Sequence, residues 1–336
     1  MQNKTTILFH LVLLVIVALF FTGCGSPSVA PVTKPKMLPA WINSVPPSDN
    51  DDYMYGMAID VDRESAIRSA LNDMVAKLGT TIESSYKSHQ EVQGAYSKLT
   101  VSSEIKADVS RIKINNYRVI KSYKISYKEF AVIIETDKKK FVNGLKESLQ
   151  QEKESITQEY KTLQSRDAIT RYNTKKKLAK RAKSLLPSVL IIADMDKSFD
   201  KRSNLNFIQR MQEEFFKESK SLKFYIVGNK QSTRFVDKIK NYLSREGFSV
   251  VNSKNGAVEI KIDTTFYISK RGIPIAVFNI NISVYDKNIR IGGKNTIIKE
   301  RYNGSLMSVY KNASIDFEKE INNKGINEVI GINLFL

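Results

Sequence analysis

Cys24 is the only thiol in the chain, and His10 and His89 are its only imidazoles. That inventory bounds the chemistry. A serine–histidine or cysteine–histidine nucleophile needs a base that titrates near neutrality. Outside the apolar leader only His89 supplies one, in the polar stretch Lys87-Ser88-His89-Gln90, where an exposed structural role is expected. Zinc sites of cysteine and histidine fail on the same count. Asp194, Asp196, Ser198 and Asp200 have the alternating oxygen spacing of a calcium loop. Phe199, however, stands where that loop needs glycine, and Leu205 where it needs a bidentate glutamate. The end of a strand and the cap of the next helix are the expected roles. Gly292-Gly293-Lys294 lacks the spaced glycine of a phosphate loop, so a hairpin turn or bulge is expected. A glycosidase needs only two carboxylates, and no pair is marked here; a carbohydrate-acting enzyme stays as an alternative. The expectation is no catalytic residue, no cofactor and no metal.

What the thiol can do is set by what precedes it. Lys4 leads into an apolar run from Ile7 to Phe21, interrupted by His10 and ending in Phe21-Thr22-Gly23-Cys24. This resembles the lipobox of bacterial lipoprotein precursors. There, small residues admit the signal peptidase, and the cysteine sulfur carries a diacylglyceryl group as a thioether. The run, of about 15 residues, is shorter than the roughly 20 that a spanning helix needs. Residues 1–23 are therefore expected to be a signal peptide, and Cys24 a lipidated amino terminus. Gly25, where aspartate would favour retention, points to the outer membrane, facing the periplasm. Pro27, Pro31, Pro35 and Pro39 make 24–38 a stiff, extended tether.

The 336 residues carry a net charge of +18, with 42% hydrophobic residues. That is enough apolar side chain for real cores and too much for a disordered stalk. Such charge suits anionic lipid, acidic glycan, acidic protein or nucleic acid, and export makes nucleic acid the least suitable. The densest cationic feature is Arg171, Lys175, Lys176, Lys177, Lys180, Arg181 and Lys183, in a segment free of acid from Ile169 to Ala193. On a helix it offers a surface to anionic headgroups or an acidic partner. The alternative is a solvated helix end whose cations suit the helix dipole.

The expected fold is α+β: two small α+β domains, 39–137 and 187–336, joined by a long charged helical region, 138–186. In the first domain, Tyr53 to Val61 is a strand and Arg63 to Lys87 a helix capped by Asp62. Leu99 to Val109 alternates as a half-buried strand, and two strands follow over Ile112–Tyr127 and Phe130–Glu135. Val142, Leu149, Ile156 and Leu163 recur every seven residues, the mark of a connecting helix or helical hairpin with a narrow apolar seam. Pro187 is expected to open the second domain with a buried strand, Val189 to Ala193. Helices around Leu205–Phe216 and Ser232–Glu246, strands over Phe224–Val227, Phe248–Val251, Val258–Ile268, Ile273–Tyr285 and Ile289–Tyr302, and a closing helix through Phe317 complete a mixed sheet with helices on one face.

Pro39, Trp41 and Pro46, Tyr55-Gly56, and Ala66, Ala70 and Asp73 along the helix make the segment from Pro39 to about Leu145 resemble the LPP-twenty family of outer-membrane lipoproteins. It is similar also to the amino-terminal domain of flagellar assembly protein T. Met57 and Ala58 depart from the family, which often has a second glycine there. The resemblance implies a small α+β domain without a known catalytic centre, in envelope proteins of which some serve motility. The helix ending in Gly247-Phe248-Ser249-Val250-Val251 resembles the amino-terminal domain of TolB. Together these imply a non-catalytic structural or scaffolding lipoprotein that binds envelope proteins, with self-association as one form of that binding. The alternative is a periplasmic regulator that activates a cell-wall synthesis enzyme.

Overall fold

The computed structural model describes residues 37–90, 109, 112–269 and 272–334, without the side chains of 83–90. The chain divides into one unit up to Val45 and another from Pro46 to Leu336. In the first, Ala40–Ile42 forms a 3-10 turn. The leader, Cys24 and the tether up to Lys36 lie outside the described residues, as does the expected strand from Leu99 up to Asp108.

The second unit begins with β1 (Tyr53–Asp60), α1 (Arg63–Gln90), β2 (Tyr117–Ser126) and β3 (Glu129–Asp137). The strands form an antiparallel sheet in the order β1-β3-β2. Helix α1 starts where the Asp62 carboxylate accepts from the Ser65 amide at 2.7 Å, satisfying an amide that the first turn leaves unpaired. It lays Ala66, Ala70, Met74 and Leu78 against Val132 and Ile134 of β3. Gly56 makes that approach feasible: a Cβ there would sit 2.2 Å from the Ala70 carbonyl oxygen.

The connecting region is a hairpin of two helices rather than one long helix: α2 (Lys138–Lys161) and α3 (Ala168–Lys183). The seven-residue seam is real, with Val142, Leu149 and Ile156 buried along α2 and Leu163 beyond it. A 3-10 turn at Thr162–Ser165 breaks the rod. Asp167 then restarts it by capping the Thr170 amide at 2.9 Å.

The expected strand at Val189–Ala193 is instead part of helix α4 (Leu186–Met195). Pro187 sits in its first turn, where a missing amide hydrogen leaves nothing unpaired. A run apolar on every side reads alike as covered strand or enclosed helix. Here Leu190 and Ile191 enter the core under the first sheet, while Val189 and Ile192 enter the helical layer. That layer is completed by α5 (Lys201–Ser221), capped by Asp200.

The second sheet contains β4 (Lys223–Gly228), β5 (Ser249–Val251), β6 (Val258–Ser269), β7 (Ile275–Asp286) and β8 (Ile289–Arg301), ordered β5-β4-β6-β7-β8. Strand β4 runs parallel to β5 and β6, and the remaining pairs are antiparallel. One face is covered by α6 (Thr233–Arg245), α7 (Leu306–Lys324) and the short α8 (Ile326–Ile330). Phe235 of α6 packs edge-on against Phe278 and Phe317 at 5.9 and 5.3 Å. The other face is open: Thr265, Tyr267, Asn281, Ile297 and Lys299 are exposed, as alternation along antiparallel strands requires. Helix α8 was not foreseen. It explains the glycine pair, since a Cβ on Gly292 would lie 2.4 Å from the Gly331 carbonyl oxygen.

Candidate functional site

The basic run lies on α3, and the tertiary structure brings carboxylates to it from both neighbouring helices. Arg171 Nε donates to one oxygen of Glu218 at 3.0 Å, and Lys175 Nζ reaches the other at 2.9 Å. Lys175 also lies 3.4 Å from Glu214 and over the Tyr160 ring. On the opposite side, Arg181 bonds Glu152 at 2.7 Å and Glu159 at 2.6 Å, and Lys177 reaches Glu159 at 3.0 Å. Lys176 is half-buried, and Lys180 and Lys183 are exposed. The sequence does hold a signal for this arrangement. Glu152 and Glu159, seven apart, share one stripe of α2, and Glu214 and Glu218, four apart, share one of α5.

Titration behaviour follows from these contacts. The Tyr160 hydroxyl, then Lys217 and Lys175, hold the Glu214 carboxyl at about 2. Burial, reinforced by the bond to Glu214, pushes the Tyr160 hydroxyl up to about 12. Arg181 is held charged by its hydrogen bond to Glu152. The shifts at Glu214 and Arg181 favour the ionised clamp at neutral pH, and the shift at Tyr160 keeps its hydroxyl protonated as a donor.

A different arrangement occupies the outer side of the same layer. Between α2 and α5 runs an open groove of about 780 Å³, lined by Lys153, Lys161, Arg202, Arg210, Phe207 and Asp200 among others. Lys153 Nζ and the Arg210 guanidinium both lie over the Phe207 ring, at 5.4 and 5.5 Å. Lys153 donates to the neutral Asn204 Oδ1 at 2.8 Å. Burial, then the charge of Arg210, push its ammonium down from the ordinary lysine range. Two carboxylates line the groove: Asp200, whose charge partly opposes that shift, accepts from the Ser203 amide at 3.0 Å, and Glu154 accepts from Gln150 at 2.6 Å. Among the described residues, no carboxylate is ion-paired with Lys153, Lys161, Arg202 or Arg210. Neither the heptad pattern nor the charge runs mark these four, because they are scattered along two helices.

The remaining candidates have structural places. Phe21, Thr22, Gly23 and Cys24 lie outside the described residues, and so does the side chain of His89, whose backbone belongs to α1. Asp194 closes α4 beside Lys197, at 3.8 Å. Asp196 pairs with Lys146 at 2.5 Å, and Asp200 caps α5. The segment thus ends a helix, not a strand, before its cap. Among the described residues no group of three metal-binding side chains occurs, and no helix is long and apolar enough to cross a membrane. Gly293 donates to Gly331 within a bulged pairing, and Lys294 bonds Glu328. One carboxyl pair was missed by the sequence: burial, then the hydrogen-bonded Asp316, push Glu300 up to about 7.

No protein-family model matches the chain, and no curated protein does. Solved structures that it resembles include the secreted protein HP1454 from Helicobacter pylori. That likeness has a TM-score of 0.47 at 11% identity, covering 82% of this chain and 97% of that one. A minor lipoprotein from Acinetobacter baumannii aligns at a TM-score of 0.26 and 12% identity, over 33% of this chain and 96% of that one. The rare lipoprotein B from Shewanella oneidensis aligns at 0.23 and 6%, over 31% and 89%.

Proposed function

We propose that this chain is an outer-membrane lipoprotein, anchored through Cys24, that works by binding other envelope proteins rather than by catalysis. The observation that carries the reading is the sole cysteine, set behind Phe21-Thr22-Gly23 and ahead of a proline-rich tether. Two features of the folded part support it. The strongest charge cluster joins α2, α3 and α5 into a stiff layer, so its titratable groups serve rigidity. The uncovered face of the second sheet places Thr265, Asn279 and Ile297 in one row across three strands, and Tyr267, Val277 and Lys299 in the next. Ile297 is 56% and Tyr267 54% exposed. Exposed Tyr267 and Ile297 beside Thr265 and Asn279, with Lys299 as the one charge in these two rows, give the mixed aromatic, aliphatic and polar composition of a protein–protein interface.

Metabolic labelling with a clickable fatty acid tests the anchor. Wild type takes the label and Cys24→Ala does not; label persisting in the variant rules out the anchor. Ile297→Glu tests the surface. It should melt like wild type and lose envelope partners in pull-downs, and retention of every partner removes the sheet face from the proposal.

A further inference from the structure

We infer that the groove between α2 and α5 is a binding site for a ligand carrying at least two phosphate groups, held by Lys153, Lys161, Arg202 and Arg210. The charge balance is local. On the α3 side each clamped cation is ion-paired with a carboxylate; the groove holds four cations to two acids, Asp200 and Glu154, which bond a neutral amide and a glutamine, and among the described residues none of the four cations is ion-paired. Lys153 and Arg210 crowd one phenyl ring, where an anion between them would relieve their mutual repulsion. The stance of Lys153 supports this, because its ammonium is already disfavoured by burial and by Arg210.

Geometry selects the ligand class. Lys153 and Lys161 stand eight residues apart on α2, and Arg202 and Arg210 eight apart on α5, which is about 12 Å along each axis. A single carboxylate or phosphate cannot span that length, whereas linked phosphates can. Arginine adds a planar fork suited to phosphate oxygens. Arg202, Arg210 and Lys161 are exposed at the groove rim, so a ligand reaches them without any opening of the fold.

Two sources present this chemistry, a soluble polyphosphate and a diphosphorylated lipid headgroup, and the test separates them. The detergent-solubilised full chain is titrated calorimetrically with inorganic tripolyphosphate. It is also sedimented with vesicles of phosphatidylcholine alone or mixed with cardiolipin. Any acyl anchor contributes alike to both vesicle types, so the difference reads the headgroup. We expect saturable tripolyphosphate binding that Arg202→Ala/Arg210→Ala weakens by about tenfold or more. Lys180→Ala/Lys183→Ala, which removes two exposed cations from α3, should weaken it less than about twofold. Groove-dependent gain on cardiolipin vesicles assigns the headgroup as source; binding to tripolyphosphate without that gain assigns the soluble ligand. Lys153→Met, with a melting curve as its check on folding, should reproduce the loss. Equal weakening by the α3 and groove variants, or no binding of either probe, overturns the inference.

Discussion

Four cations on each side of the helical layer are used in opposite ways. Along α3, Arg171, Lys175, Lys177 and Arg181 meet Glu218, Glu214, Glu159 and Glu152, and the charge is cancelled inside the fold. Between α2 and α5, Lys153, Lys161, Arg202 and Arg210 line a groove with two acids, and among the described residues none of the four is ion-paired. Four cations of the denser run are thus matched inside the fold. Cation density along a chain measures local supply, whereas the field at a surface is what remains after acids from distant segments have been packed against it. A matched, part-buried pair resists loss of either member, while an unmatched cation is a burden on the folded state until something binds it.

The largest test of that contrast is Glu218→Ala. Its side chain is 9% exposed and serves two cations, so its removal should lower stability by about 3 kcal/mol, read by urea denaturation. A loss below about 1 kcal/mol would erase the distinction between the two sides.

Acid should act on the matched side next. The Glu214 carboxyl, with an ordinary value of 4.5, is held at about 2 in the fold. Its depressed pKa means that its contribution is whole above about 4.5 and is lost as pH falls from there toward about 2. Glu214→Gln should flatten that acid limb of the melting-temperature profile. Glu300, outside this layer, supplies the opposite sign as an internal control. Raised to about 7 from 4.5, its contribution is whole below about 4.5 and is lost as pH rises toward about 7. Glu300→Gln should therefore remove a decline on the neutral side and leave the acid limb intact. If both variants flatten the same limb, one assignment is wrong.

Removing a groove cation should do little harm. Lys153→Met keeps the aliphatic stem over Phe207 and discards a partly buried charge that has no ion-pair partner, together with its hydrogen bond to Asn204. Relief of the buried charge and loss of that bond oppose each other, so the expected net change is within about 1 kcal/mol of zero. Destabilisation of the size seen for Glu218→Ala would show that the groove holds a partner of its own. Smallest of all, Lys177→Ala breaks a pair whose lysine side chain is 60% exposed and should shift stability by less than about 0.5 kcal/mol, within the scatter of replicate melts.

Most elements could be read from the residues because their signals are local. The alternation of Ile260, Ile262 and Thr264 against Lys261, Asp263 and Thr265 sets β6, and the stripe Ala66, Ala70, Met74 sets α1. The capping aspartates at 62, 137, 167 and 200 each start a helix. The misreading at Val189–Ala193 has a physical cause. Full enclosure removes the polar face that distinguishes a period of 3.6 from a period of 2. A helical hairpin was one of the two readings of 138–186, but its turn at Thr162–Ser165 could not be placed because no glycine or proline announces it. The clamp was half visible, as a run of cations without its acids, and the groove was not visible at all.

The order of residues alone determined the apolar leader, the position of Cys24 behind small residues, the proline tether and the faces of nearly every strand and helix. These depend on neighbours within a few positions, so composition and period suffice. Only the folded structure decided which charges survive at the surface. Arg171 and Glu218 are 47 positions apart, and Lys153 and Asn204 51. Coulomb and hydrogen-bond energies depend on separations of a few ångströms in space, which the packing of α2, α3 and α5 sets and the local pattern of residues does not contain.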